Sequence, residues 1–157
     1  MINEHPYEGL FKLIYTTTQC NEVINALEHA IDASYDTNKN MMTVLDSYMP
    51  YHVTNALLEI AEEKQISLRE GASTTPFLKE VLETLKHAVR VDITLAFYPT
   101  YEQLSKIVQW WRKEINPQVV LNLSVDPKVV AGAKIGYNGS ISDLTIKQDL
   151  NSFLEKS

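Results

Sequence analysis

Residues 119–150 read VVLNLSVDPKVVAGAKIGYNGSISDLTIKQDL, and this stretch decides the fold of the chain. Apolar residues occupy every second position of its first seven residues, which predicts a strand buried on one face. The pair Asn138-Gly139 predicts a tight hairpin, because a type I′ turn needs two residues that tolerate positive φ. Asp143 is placed to cap a short amphipathic helix. The pattern therefore predicts a module made of a strand, a β-hairpin and a helix.

Upstream of this module, a second alternating run at 91–97 predicts another strand. Thr100 and Gln103 have the spacing of a capping box, which opens the next helix. The predicted apolar stripe of that helix comprises Leu104, Ile107, Val108, Trp111 and Ile115. The elements follow the order strand, helix, strand, hairpin and helix. They predict a small βαββα domain with a β-hairpin over residues 91–157.

The first 90 residues show helical rather than strand periodicity. Apolar residues recur at spacings of three and four in five segments, each too short to be stable alone. The first predicted helix runs from Tyr7 to Tyr15, and a loop at Gly71–Thr75 precedes a fifth helix that starts at Pro76. We expect these helices to pack as an all-helical bundle. The predicted fold class is α+β, with the bundle at residues 1–90.

The composition is that of an ordinary globular protein. The 157 residues are 45% hydrophobic and 22% charged, and no apolar run is long enough to cross a bilayer. The first residues lack the basic and apolar regions of a targeting signal. A lone cysteine, Cys20, cannot form an internal disulfide, which suits a reducing cytoplasm. A buried or half-buried thiol is favoured over a nucleophile.

The charge is unevenly distributed along the chain. Residues 1–90 hold 7 Lys or Arg against 13 Asp or Glu, whereas residues 91–157 hold 7 against 7. The acidic first part disfavours nucleic acid, because that affinity comes mainly from Lys and Arg. Two interpretations of the acidic charge remain open. It keeps a small domain soluble, or it forms a docking face.

No residue pattern indicates catalysis. The four histidines lack metal-ligand spacing, and the five glycines do not form a phosphate-binding loop. The run GYNG at 136–139 superficially fits the RNA-binding GXXG loop, but it lies between two alternating strands, so a hairpin turn is favoured. No catalytic, cofactor-binding or metal-binding residue is predicted. Trp110 lies one residue off the apolar stripe, and we expect it, with Tyr7 and Phe11, to face a partner.

The spacing in the C-terminal module resembles that of the delta subunit of F-type ATP synthases, the family called oligomycin-sensitivity-conferring protein in mitochondria. Its motif has an alternating strand, an acidic or amide residue, a small residue before Gly, a strand and a D-G-S-V-x-x-x-L helix start. The positions that match are Val119-Val120-Leu121, Asp126, Val129, Ala131-Gly132, Ile135, Asp143, Thr145-Ile146 and Leu150. Asn138 and Gly139 form the hairpin turn within this motif. Leu144 departs from the Gly of the family motif, and Gly136 replaces a residue that is usually polar.

The resemblance implies a non-catalytic stator subunit that links the catalytic head to the peripheral stalk and resists rotor torque during proton-driven ATP synthesis. The helical domain is then expected to hold N-terminal segments of the alpha subunits, and the second domain the C-terminal helices of the b subunit. No cofactor, small-molecule ligand, nucleic acid or membrane insertion is expected. The implied location is cytoplasmic, peripheral on the inner face of the bacterial membrane. The alternatives are a free-standing adaptor that reuses the module and, more distantly, an RNA-binding domain.

Overall fold

The computed structural model describes residues 7–36, 40–129, 133–137 and 140–142. The described part contains six helices and four strands. In chain order they are α1 (Glu8–Phe11), α2 (Thr17–Ser34), α3 (Met41–Tyr48), α4 (Tyr51–Glu63), α5 (Gly71–Lys86), β1 (Val89–Leu95), α6 (Tyr101–Glu114), β2 (Val119–Val125), β3 (Ala133–Tyr137) and β4 (Ser140–Ser142).

The chain divides into two units. The helical unit comprises Met1–Ile14 and Gln19–His87, and the α+β unit comprises Tyr15–Thr18 and Ala88–Ser157. The four residues Tyr15–Thr18, which we call the edge segment, thus belong with a part of the chain that begins 70 positions later. The periodicity of the sequence does not predict that these four residues belong to the α+β unit.

The helical unit is held together by the apolar stripes of its short helices. Each stripe recurs at spacings of three and four, so one side of every helix can be buried. Cys20 is completely buried, and its Sγ lies 3.7 Å from the carbonyl oxygen of Leu85, which confirms the predicted buried thiol. The largest fully buried side chains of this unit are Leu10, Phe11, Ile14, Leu27, Met41, Leu45, Leu57, Phe77, Leu78 and Leu85.

The first helix is shorter than predicted. The periodicity extends to Tyr15, but α1 ends at Phe11. The reason lies in the edge segment, where the Tyr15 carbonyl accepts a hydrogen bond of 2.9 Å from the Leu121 amide. Thr16 also pairs with Leu121 as a parallel bridge. Pairing with a strand requires extended backbone, so this tertiary contact overrides the helical periodicity.

The predicted loop at Gly71–Thr75 is wrong, because these residues form the start of α5. The Thr74 and Thr75 hydroxyls donate to the carbonyls of Glu70 and Gly71 at 2.7 and 2.9 Å. Such bonds to the residue four positions earlier let threonine join a helix. Pro76 is the sixth residue of α5 and lies inside the helix, where its missing N–H leaves one backbone hydrogen bond unmade.

The α+β unit contains a four-stranded sheet with the order β2-β1-β3-β4. β1 and β2 are parallel and are joined through α6, whereas β3 pairs with both β1 and β4 in antiparallel fashion. Tyr137 pairs with Ser140, which leaves two residues between the strands and confirms the predicted hairpin. The turn pair Asn138-Gly139 lies outside the described residues. The predicted α+β class is confirmed, with the hairpin supplying two of the four strands.

One face of this sheet packs against α6. The buried cluster comprises Val91, Ile93, Leu95, Leu104, Ile107, Val108, Trp111, Val119, Leu121 and Ile135. Strand β1 begins and ends two residues earlier than predicted, so Phe97 lies beyond it and is 56% exposed. Ile115 is 45% exposed because α6 ends at Glu114, one residue before the last position of the predicted stripe.

The predicted capping box at the start of α6 is confirmed. The Gln103 amide donates to Thr100 Oγ1 at 3.2 Å, and the Thr100 amide donates to Gln103 Oε1 at 3.0 Å. Two amides at the helix start, where the helix itself offers no acceptors, are thus satisfied. The cap fixes where the chain turns from the end of β1 into α6.

Candidate functional site

The motif residues that the structure describes have structural positions. Val119 and Leu121 are completely buried, and Ile135 is 2% exposed. Asp126 begins a turn, in which its Oδ1 accepts from the Lys128 amide at 3.0 Å. These residues explain the fold and offer no surface for chemistry. The motif residues outside the described part are Ala131, Gly132, Asn138, Gly139, Asp143, Thr145, Ile146 and Leu150.

Two of the three residues predicted to face a partner are buried instead. Tyr7 and Phe11 are 4% and 2% exposed, because α1 turns both rings into the core of the helical unit. The structure therefore corrects this prediction for both residues. Trp110 is half-buried, with its ring edge-to-face on Trp111 at a centroid distance of 5.3 Å. It packs against the core of the α+β unit.

The hydroxyl end of Tyr7 meets a charged pair. Lys64 Nζ lies 2.7 Å from Glu80 Oε1 and 3.2 Å from the Tyr7 oxygen, and Tyr7 donates to the same carboxylate. Burial, followed by the bond to Glu80, raises the pKa of Tyr7. The Lys64 contact lowers the pKa of Glu80, and Glu80 in turn raises the pKa of Lys64. Every group keeps its ordinary charge near neutrality, so the cluster stabilises α1 rather than moving protons.

A second polar contact holds the edge segment in the α+β unit. Arg112 donates from Nε and Nη2 to the Val119 carbonyl at 3.1 and 3.0 Å, and its guanidinium lies 5.8 Å from the Tyr15 ring centroid. Burial lowers the pKa of Arg112 to about 10, so it remains charged at neutral pH. The Tyr15 ring also contacts the Tyr101 ring at 5.5 Å. Arg112 therefore joins the end of α6, the start of β2 and the edge segment.

An exposed apolar surface lies at the carboxyl ends of β1 and β2. We call it the aromatic edge, and it consists of Phe97, Tyr98, Tyr101 and Val125, which are 56%, 64%, 72% and 48% exposed. The register pairs the last residues of the two strands, and the Asp126 amide donates to the Leu95 carbonyl at 2.8 Å, so the four side chains share one end of the sheet. Exposed aromatic side chains that cluster are typical of protein interfaces.

The helical unit has an apolar groove of its own, which we call the α2–α4 groove. It consists of two cavities of about 430 Å³ each, and Tyr48 lines both. Val23, Met49 and Val53 form an apolar floor, whereas Glu22 and His52 are exposed. The residues that line it further are Leu13, Ile14, Gln19, Ala26 and Pro50 in one cavity and Ala33, Asn40, Thr43, Val44 and Ser47 in the other.

Sequence reasoning missed both surfaces, although each has a local signal. Helix α3 ends just before Met49 and Pro50, so Tyr48 is its last residue and no further turn of the helix covers the Tyr48 ring. The run from Phe97 to Tyr101 holds three aromatic residues just past the end of a strand. The local signal of each surface is therefore an aromatic residue next to the end of a helix or strand, and apolar periodicity does not reveal it.

In the part of the chain that the structure describes, no three His, Cys, Asp or Glu residues are arranged to hold a metal ion. Within the same residues, none of the helices combines the length and the apolar character that a membrane span needs. What the described residues do offer is an exposed aromatic edge on the α+β unit and a groove with an apolar floor on the helical unit.

Two comparisons with known proteins indicate the same family. The model of the family described as ATP synthase delta (OSCP) subunit matches residues 6–156. ATP synthase subunit delta of Mycoplasma pneumoniae is 22% identical over 124 residues, which cover 76% of this chain and 68% of the relative. The family is a non-catalytic subunit of ATP synthase, and its members associate with other subunits of that membrane-associated complex. Because the family match spans nearly the whole sequence, this chain belongs to the ATP synthase delta (OSCP) family.

Proposed function

We propose that this chain is the stator subunit that joins the catalytic head of an F-type ATP synthase to its peripheral stalk. In this role it resists the torque of the rotor while proton flow drives ATP synthesis. One observation carries the proposal: a chain of this family has two units, one with the exposed aromatic edge and the other with a groove that has an apolar floor. A subunit that connects two partners needs two such surfaces.

The helical unit is proposed to hold N-terminal segments of the alpha subunits. Support comes from the α2–α4 groove, whose apolar floor and concave form suit a helix laid along it. The buried positions of Tyr7 and Phe11 exclude these two side chains as primary contacts. The α2–α4 groove is therefore the proposed contact surface instead of Tyr7 and Phe11.

The α+β unit is proposed to bind the C-terminal helices of the b subunit. Support comes from the aromatic edge, where Tyr98 and Tyr101 combine large apolar area with hydroxyls that can hydrogen-bond. Residues of this kind dominate the binding energy of protein interfaces. The proposed location follows from these partners: the chain lies on the cytoplasmic side of a bacterial membrane, peripheral to the membrane sector.

The test is reconstitution of the complex from which the delta subunit has been removed. Adding the full chain is expected to restore binding of the catalytic head to the membrane sector and ATP-driven proton pumping. The double variant Phe97→Ser/Tyr98→Ser is expected to bind the isolated head as well as the parent chain does and to lose membrane attachment. A chain that binds neither the head nor the stalk would refute the proposal.

The matched control is Ile115→Ser. Ile115 is 45% exposed, which is close to the exposure of Phe97, but it lies at the opposite end of α6. This variant is expected to restore pumping fully. Loss of pumping in both variants, at equal folded content, would show that general surface apolarity matters and the aromatic edge does not.

A further inference from the structure

We propose that α5 has two alternative starting points, Gly71 and Pro76, and that the segment between them is a helical turn poised to unwind. The segment comprises residues 71–75, and we call it the α5 start. The inference is independent of the proposed function, because it depends only on the packing of helices within the helical unit. It identifies a place where this unit changes conformation while the rest of α5 stays helical.

The observed start of α5 is poorly equipped as the beginning of a helix. Its N-cap residue is Glu70, whose side chain makes no capping hydrogen bond, and glutamate is not among the residue types that favour this position. Gly71 has a weaker helix preference than any other residue type except proline. Pro76, inside the helix, has no N–H to donate to the Ala72 carbonyl four positions earlier. Each of these features destabilises the helix before Pro76.

The sequence offers a better-equipped start five residues later. Thr75 directly precedes Pro76, and threonine is a favoured N-cap residue, whereas proline is favoured at the first position of a helix. In a helix that begins at Pro76, the Thr75 hydroxyl is placed to accept a hydrogen bond from the Leu78 amide. The same proline that destabilises the long form of α5 therefore stabilises the short form.

Side-chain contacts hold the α5 start in the helical form. Thr74 is completely buried, and its hydroxyl donates to the Glu70 carbonyl at 2.7 Å. The Thr75 hydroxyl donates to the Gly71 carbonyl at 2.9 Å and lies 2.6 Å from the hydroxyl of Ser34, the last residue of α2. A Cβ added at Gly71 would lie 3.1 Å from the Ser34 carbonyl oxygen, so α2 and α5 approach closely here. The last turn of α2 therefore holds the segment in place.

Unwinding of the α5 start lengthens the connection between α4 and α5. The connection has seven residues, 64–70, when α5 begins at Gly71, and twelve, 64–75, when it begins at Pro76. The contact with Ser34 is lost at the same time, which separates this part of the chain from the end of α2. In both forms α5 keeps five of its buried residues, which are Phe77, Leu78, Val81, Leu82 and Leu85.

Native-state hydrogen exchange of the full chain, followed residue by residue by NMR, tests the proposal. One opening exposes the Thr74 and Thr75 amides together, so their protection factors are expected to agree within about threefold. Both are expected to lie at least about a hundredfold below the protection factors of Val81 and Leu82. Equal protection of all four amides would overturn the proposal. A Thr75 amide protected more than about tenfold better than Thr74 would indicate ordinary fraying of the helix end and would overturn it as well.

Pro76→Ala and Thr84→Ala separate the effect of the proline from that of helix preference in general. Pro76→Ala restores an N–H inside the helix and removes the favoured first residue of the short form. Exchange of Thr74 and Thr75 is therefore expected to slow at least about tenfold. Thr84→Ala also raises helix preference, but in a part of α5 that both forms share, so the expected change is less than about twofold. Equal slowing by the two variants would contradict a boundary at Pro76.

Ser34→Ala and Ser47→Ala test the contact with α2. Ser34→Ala removes one hydroxyl of this contact without changing α5, and exchange of Thr74 and Thr75 is expected to become about fivefold faster. Ser47, in α3, also donates to a carbonyl of its own helix, as Ser34 does, so Ser47→Ala is a matched control with no expected effect. Equal rates in the two variants would show that α2 does not hold the α5 start and would refute the proposal. Circular dichroism of each variant verifies that the helices are retained.

Discussion

Replacing Tyr15 by alanine tests whether the edge segment stabilises the α+β unit. The substitution keeps the backbone bond to Leu121 and removes the ring, which is half-buried. Loss of the ring pair with Tyr101 costs about 0.5–1.5 kcal/mol, and loss of the Arg112 contact costs about 0.5–1 kcal/mol. The buried part of the ring adds about 1 kcal/mol. The expected loss in free energy of unfolding is about 2–3.5 kcal/mol.

The two tryptophans make this loss measurable in one unit. Trp110 and Trp111 both lie in α6, and the chain contains no other tryptophan, so fluorescence reports the unfolding of the α+β unit. Most described helical residues belong to the helical unit, so far-UV circular dichroism follows that unit instead. Tyr15→Ala is expected to lower the fluorescence melting temperature by about 10 °C or more.

The control is Tyr98→Ala, which removes a tyrosine of the same unit that is 64% exposed. It is expected to stay within about 0.5 kcal/mol of the parent chain. If Tyr15→Ala left the fluorescence transition as unaltered as the control does, the edge segment would contribute nothing to the unit. The contacts of its ring would then be incidental.

Three further outcomes can be measured in the same preparations. Leu121→Ala is expected to lower the free energy of unfolding by about 2–5 kcal/mol in urea titrations followed by fluorescence; an unchanged midpoint would contradict its burial. Thr100→Ala is expected to cost about 1 kcal/mol and Thr100→Ser much less, because only the second keeps the cap; equal losses would show that the hydroxyl is not used. The folded-state pKa of Glu80 is lowered by Lys64, so its contribution is present above the unfolded pKa and lost as pH falls below about 4. Glu80→Gln is therefore expected to reduce the loss of stability between neutral and acid pH; an identical acid titration would show that the pair does not contribute.

Local signals in the sequence were sufficient for much of the fold. The hairpin, the capping box at Thr100 and the apolar stripe of α6 each depend on residues a few positions apart. The hairpin and the capping box are confirmed, and the stripe is confirmed except for Ile115. The Gly71–Thr75 segment shows the limit of such signals. Its Gly, Ser and Thr residues have weak helix preferences, which hydroxyl-to-carbonyl bonds offset in the folded chain.

The two surfaces depend on how elements pack, which no local pattern encodes. The α2–α4 groove lies where α3 ends at Tyr48, and its two cavities need α2, α3 and α4 in place. The aromatic edge needs the parallel pairing of β1 and β2, which brings Phe97 and Val125 to the same end of the sheet. The prediction that Tyr7 and Phe11 face a partner was wrong, because the helical periodicity of these two residues reflects packing into the core.

The edge segment makes the α+β unit discontinuous in sequence. Thr16 pairs beside β2, and the Thr17 hydroxyl donates to Asn122 at 3.2 Å, so residues far apart in sequence complete one side of the sheet. A fragment that begins at Ala88 lacks these partners and leaves the outer side of β2 unpaired, which favours association between copies. The chain also crosses between its units three times, after Ile14, Thr18 and His87. A boundary drawn as a single cut in the sequence therefore separates the edge segment from the sheet that it pairs with.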